Sequence, residues 1–243
     1  MQIPVGSDLY GELPRPYRNV RWLSVYCETA TDRLRSVIPA PLQPQDPQRS
    51  LTLFEVFIAH YGDTPYGPYT EAGVIVPCRF GAVAGQTFAP FLYLDQVGPI
   101  VGGRELMGFP KKDAEVRFEQ HGEVVRGQVA RGAAMLEFEG RPGAAARPDF
   151  EPLPSGPRLI VREFPRADGP GYVLREVLRK DADPQAVVRL SKPMDCALRV
   201  AGTPEDPLDL LQPFEIKGGR YRELDMALRY AQVLQSEFRG ATR

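Results

Sequence analysis

Proline and glycine limit what this chain can fold into. It has 25 prolines and 23 glycines in 243 residues. Proline lacks the N–H a helix needs and clashes with the preceding turn, and glycine gives up more backbone entropy than other residues on joining a helix. A chain interrupted this often favours short strands over long helices. The stretches between interruptions agree. Residues 20–26 (VRWLSVY), 51–60 (LTLFEVFIAH), 73–83 (GVIVPCRFGAV) and 87–94 (TFAPFLYL) are rich in β-branched and aromatic residues and read as strands. AEVRFEQ, EVVRGQVA and AAMLEFEG roughly alternate apolar with polar residues across His121-Gly122 and Arg131-Gly132, which predicts a meander. Strand-like segments resume at 158–165, 172–178, 185–191 and 194–200. One short helix is expected over Thr29–Ile38, capped by Thr29 or Thr31, with Leu34, Val37 and Ile38 as its apolar face and Pro39 as its stop. Another is expected between Asp95 and Gly108. The stretch 223–238 is open between helix and strand, and 140–157 reads as a long loop. No internal repeat is visible. The expectation is a mainly β chain, a single domain over 1–243, with a few short helices.

Charge excludes several partners. The formal net charge is −1, so nothing draws the chain to nucleic acid or to an anionic lipid surface. No run of roughly 18 apolar residues predicts a membrane span. The first residues carry neither a basic nor an apolar region of the kind an export signal needs. Cys27, Cys78 and Cys196 are odd in number and widely spaced, so they read as free thiols of a cytoplasmic, reducing compartment. Only His60 and His121 offer imidazoles, and their separation gives no support to a metal site or a Ser-His triad. No cofactor is expected. Any chemistry falls to Lys, Glu, Arg and Tyr.

Lysine is scarce here. Of 30 basic residues only five are lysines, and two of them, Lys111 and Lys112, stand side by side after Phe109-Pro110 in GGRELMGFPKK (102–112). A lysine amine can lose its proton when buried and attack a carbonyl, whereas a guanidinium stays charged. If 111–118 enters a strand, Lys112 points away from the pocket that receives Lys111. Desolvation by Met107, Phe109 and aromatics such as Phe88, Phe91 and Tyr93 is then the better account of a neutral Lys111. Two acids stand where acids are unexpected. Glu55 interrupts an apolar strand, and Glu71 precedes one, so each needs a partner or water. Arg104-Glu105 precedes the lysines and, taken alone, reads as a structural ion pair.

GREL followed by Pro-Lys-Lys, preceded in order by LRSVIPAPL (34–42), YTEAGVIVP (69–77) and YLD (93–95), resembles the acetoacetate decarboxylase family. The resemblance is strongest over roughly residues 14–120 and fades afterwards. It implies a double-layered β-barrel or cone around a central cavity, and assembly into homo-oligomers. It implies that Lys111 is a Schiff-base lysine with Lys112 as its adjacent partner, that Glu71 lies at the active site, and that Glu55 is the glutamate of the preceding strand. The family also places an arginine near the start of the first strand. Arg21 is the nearest match, with Arg18 as the alternative, because the sequence is one residue out of step there. The activity implied is decarboxylation of a small β-keto acid, acetoacetate first. The alternative is pyruvate-dependent aldol condensation and dehydration on the same lysine, with Arg104 holding the carboxylate. A non-catalytic small-molecule binder is a third reading, which the intact GFPKK disfavours.

Overall fold

The computed structural model describes residues 10–143 and 152–239. Among them the chain forms β1 (Arg15–Ala30), α1 (Thr31–Arg35), β2 (Gln43–Pro44), β3 (Leu51–Asp63), β4 (Tyr69–Phe80), β5 (Val83–Leu94) and α2 (Val97–Gly102). A single π-helical turn, Gly103–Met107, leads into β6 (Lys111–Asp113), β7 (Glu115–His121), β8 (Val124–Arg131) and β9 (Ala134–Pro142). The second half is β10 (Arg158–Pro165), β11 (Tyr172–Lys180), β12 (Val187–Ala201), a 3₁₀ turn at Leu208–Leu211, β13 (Glu215–Leu228) and β14 (Gln232–Phe238). The mainly β expectation holds.

All these strands join one mixed sheet in the order β14-β11-β10-β5-β4-β3-β1-β13-β12-β9-β8-β7, with β2 added to β4 and β6 added to β5. The edge strands β14 and β7 do not pair with each other, so hydrogen bonding leaves the sheet open rather than closing it into a barrel. Instead the sheet folds over itself, and β7 packs against β3, β4 and β5. Between the two layers lies a core of Leu23, Val25, Ile58, Val74, Val125, Leu136 and Phe138. The opposite face of the central strands carries a second cluster, with Tyr17, Phe57, Tyr61, Tyr69, Leu92 and Leu224. Strands covered on both faces need no polar alternation. Tyr69 through Cys78 of β4 are accordingly buried without a break.

Several expectations change. The helix after β1 is only five residues long and has no side-chain cap. Thr29 Oγ1 instead donates to the Pro213 carbonyl at 2.6 Å, and Thr31 Oγ1 meets Thr52 Oγ1 at 2.7 Å. The segments at 185–191 and 194–200 form one continuous strand, β12. The open stretch 223–238 is strand, divided between β13 and β14. Of the expected loop, 140–142 completes β9, and 144–151 lies outside the described residues.

Candidate active site

The π turn aims Lys111. Gly108 N–H donates to the Arg104 carbonyl and Phe109 N–H to the Gly103 carbonyl, both at 3.0 Å. Gly108 closes the turn at φ 82°, a left-handed conformation that glycine adopts without strain. The chain then enters β6, where Lys111 pairs with Leu92 of β5 in parallel register. The Lys111 side chain runs back over Gly103. A Cβ at that position would lie 2.5 Å from Lys111 Cδ, so only glycine leaves the path open.

Lys111 Nζ donates to Glu71 Oε2 at 3.2 Å. The side chains are 10 % and 7 % exposed, so this is a buried ion pair. It lies in a cavity of about 190 Å³ whose walls include Met107, Phe109, Trp22, Phe57, Tyr61 and Tyr69. Trp22 stacks on Phe57 at 4.3 Å and Tyr61 on Tyr69 at 4.6 Å. Burial, reinforced by Glu71 and the neighbouring tyrosines, pushes the Tyr61 and Tyr69 hydroxyls well above their ordinary value. They face the cavity as neutral donors. The expected aromatic neighbours are a correction: Phe88, Phe91 and Tyr93 belong to the core between the layers, on the other face of β5. Met107 and Phe109 do line the cavity, with the Phe109 ring centroid 5.9 Å from Lys111 Nζ.

Glu55 also reaches the cavity and is fixed from three sides. Its Oε1 accepts from Ser24 Oγ at 2.6 Å and Trp22 Nε1 at 3.2 Å, and Arg222 Nη2 stands 4.0 Å away. Lys112 faces the opposite way. Its Nζ donates to the Asp206 carboxylate at 2.8 Å, where Tyr93 and Arg131 also donate. Burial alone would push the Asp206 carboxyl up, but these hydrogen bonds outweigh it and hold it below its ordinary value.

The arginine assignments change most. Arg21 stands outside the cavity: its guanidinium lies over the Phe118 ring and donates to Gln120 Oε1 at 3.3 Å. Arg18 pairs in register with Asp63 near the end of β3 and is exposed. Arg104 donates to the Lys111 carbonyl at 3.0 Å, bracing the turn without lining the cavity. The first-strand arginine that lines it is Arg15. The reason is a bulge at Asn19, with φ 52°, between Tyr17 and Val20. One extra residue swaps the face that each side chain takes. Odd-numbered Arg15 and Tyr17 therefore share the cavity with even-numbered Trp22, and Arg21 is turned out. Sequence reasoning also missed Arg158, Lys180 and Arg222, all on the cavity wall. Arg158 and Lys180 stand at strand ends and Arg222 lies in the arginine-containing run GGRYREL, so none carried a distinct signal in the sequence.

The family model for acetoacetate decarboxylase (ADC) matches residues 2–238. The chain belongs to this family. Acetoacetate decarboxylase 3 of Mesorhizobium japonicum is 33% identical over 161 residues, 64% of this chain and 61% of that protein. The chain thus matches less than two thirds of that relative's length. An acetoacetate decarboxylase of Burkholderia mallei is 28% identical over 236 residues, covering 96% of this chain and 93% of its own. The likeness therefore continues through the C-terminal half, where the motifs fade. In fold, the acetoacetate decarboxylase of Legionella pneumophila superposes with a TM-score of 0.79 at 21% identity, covering 97% of this chain and 93% of its own. The enduracididine biosynthesis enzyme MppR, solved with pyruvate, gives 0.75 at 16% identity over 95% of this chain and 93% of its own. Among the described residues no helix is long and apolar enough to cross a membrane.

Proposed function

We propose that this protein decarboxylates a small β-keto acid, acetoacetate being the simplest, through a Schiff base on Lys111. The observation that carries the reading is the buried contact of Lys111 Nζ with Glu71 at 3.2 Å inside an aromatic-lined cavity. The amine adds to the ketone, and loss of water leaves an iminium. The bond to the carboxylate then breaks, and its electron pair moves towards the iminium nitrogen as CO₂ departs. The resulting enamine takes a proton on carbon, and water returns the ketone product and the free amine. Glu71, touching the nitrogen, accepts and returns the protons these steps exchange. Arg15 orients the substrate carboxylate: its Nη2 is buried without a hydrogen-bond partner on the cavity wall. An arginine in that state calls for an anion. Glu55, held by Ser24 and Trp22, balances the cationic wall near Arg222.

The likeness to MppR keeps pyruvate condensation with an aldehyde as the second reading. The arginine expected to serve it, Arg104, is committed to the Lys111 carbonyl, and Arg15, whose Nη2 has no hydrogen-bond partner, takes its place in holding a 2-keto carboxylate. A bare binder has no use for a buried amine paired with a carboxylate. The accompanying expectations, a cytoplasmic single-domain chain that assembles into homo-oligomers, belong to the same reading. The deciding assay supplies acetoacetate in one vessel and pyruvate with an aromatic aldehyde in another. CO₂ and acetone from the first support the proposal; an unsaturated keto acid from the second alone overturns it.

A further inference from the structure

The charge on the cavity wall exceeds what a monocarboxylate needs. Among the described lining residues Arg15, Lys111, Arg158, Lys180 and Arg222 are basic, against the acids Glu55 and Glu71. Glu71 pairs with Lys111 at 3.2 Å and Glu55 Oε1 lies 4.0 Å from Arg222 Nη2. Arg15 suits one carboxylate. Arg158 and Lys180 remain, and their placement is unusual. Arg158 opens β10, Lys180 closes β11, and the two are directly opposite in antiparallel register. Opposed residues on neighbouring strands project from the same face, and like charges there destabilise the sheet. Both enter the cavity. Burial pushes Lys180 down to about 8, with the Arg158 charge next in importance, against the opposing pull of Asp183 and Asp181. Burial likewise lowers Arg158, against the opposing pull of Glu55. A fold that crowds two cations into a small apolar cavity destabilises itself unless an anion joins them.

We propose that Arg158 and Lys180 form a subsite for a second carboxylate, so that the substrate is a β-keto diacid rather than a monoacid. The inference rests on the decarboxylase reading for the reactive end of the substrate. The guanidinium offers a planar fork that a carboxylate can bridge, and the ammonium adds a point charge beside it. The carboxylate that leaves as CO₂ is held by Arg15, and the one that remains in the product is held by Arg158 and Lys180. A monoacid such as acetoacetate leaves the pair opposed only by the charges of Glu55 and Glu71 on Arg158 and of Asp183 and Asp181 on Lys180, and binds more weakly.

Glutarate and butyrate test the subsite without chemistry, since neither carries a ketone. In calorimetric titrations of the full chain, glutarate should bind roughly tenfold to a hundredfold more tightly, the range expected for hydrogen bonds to charged groups. Lys180→Met and Arg158→Met should each bring that ratio towards one, and Lys180→Arg should keep most of it. A second arm compares turnover of 3-oxoadipate, which would release CO₂ and leave levulinate, with turnover of acetoacetate. Lys180→Met should lower kcat/KM for 3-oxoadipate at least about fivefold more than for acetoacetate. A glutarate preference lost in Lys180→Met, without CO₂ from either keto acid, would sustain the subsite and remove the decarboxylase reading. Turnover of acetoacetate with equal affinity for the two probes would overturn the subsite and leave the decarboxylase reading intact.

Discussion

Lys111 and Lys112 are neighbours in sequence and strangers in space. Lys111 enters an aromatic cavity and meets one carboxylate, Glu71. Lys112 crosses to the other face and joins Tyr93 and Arg131 around Asp206. Both lysines thus form an ion pair with a buried acid. What differs is the surroundings. Asp206 receives three donors and is wholly enclosed, which is how a structure anchors a charge. Glu71 faces open cavity beside a single amine, which is how a site keeps a charge available. The lesson is that pairing alone does not separate structural from chemical ions, whereas the number of donors and the presence of free space do.

The largest expected effect breaks the Lys111 side of the comparison. Lys111→Arg preserves the positive charge but supplies no amine that can lose a proton, so activity should fall to background. Borohydride added with acetoacetate should attach the substrate to the peptide holding Lys111 in the natural chain and to nothing in the variant. Label on Lys180, which also lines the cavity, would move the chemistry to the wrong lysine. Next comes Glu71→Gln. If Glu71 handles the protons, kcat should drop by roughly two to three orders of magnitude, within the usual range for general acid–base catalysis. A loss confined to KM would reduce Glu71 to a packing or binding role.

How much of this could be read from the residues follows from the same geometry. Strand alternation placed Lys112 away from Lys111 because β6 is regular across those two positions. Family resemblance pointed to Arg21, with Arg18 as the alternative, but the Asn19 bulge changes parity inside β1 and turns Arg21 out, and the sequence shows only an asparagine there. The aromatic wall was misjudged for a related reason. Phe88, Phe91 and Tyr93 were expected around Lys111, but the face of β5 they take is not legible in the sequence. β5 has its own register shift opposite Val74 and Val76. Arg158 and Lys180 come from the C-terminal half, where motif resemblance had faded. Only the pairing of β10 with β11, and of β10 with β5, brings them to the cavity. Local pattern gives strands; which residues share a cavity depends on registers between strands distant in sequence.

The Lys112 side should answer in stability rather than in rate. Asp206→Asn leaves Lys112 and Arg131 without their buried counter-charge, and breaking such a pair costs about 3 kcal/mol. For a chain of this size that lowers Tm by roughly 6–12 °C, measured by calorimetry at pH 7. The pH dependence has a definite sign. Because the folded-state value of Asp206 lies below its ordinary 3.8, its contribution is present above that ordinary value and disappears as pH falls through the lowered one. The Tm gap between the natural chain and Asp206→Asn should therefore narrow in strong acid. An unchanged Tm at pH 7 would show that the three-donor cluster does not anchor the fold.

The smallest effect is the sharpest test of the comparison. Lys112→Met removes the neighbouring cation while roughly keeping the length of the side chain. If that charge were what activates Lys111, the acid limb of the pH–rate profile should move by more than about one unit, the scale on which a close charge acts. The structure argues for less. The Lys112 ammonium is bonded to Asp206 at 2.8 Å, so its field is largely cancelled where it originates. The Arg131 guanidinium shares that carboxylate and takes over part of the pairing when Lys112 is lost. Arg15, Arg158 and Lys180, by contrast, line the same cavity as Lys111, on its own side of the sheet. The profile of Lys112→Met should therefore stay within about half a unit of the natural one, with a modest loss of Tm from the weakened Asp206 cluster. A large shift of the acid limb with an unchanged Tm would reverse the roles of the two faces. Lys112 would then be acting on its neighbour through the strand, and the separation between anchoring and chemical ion pairs would fail.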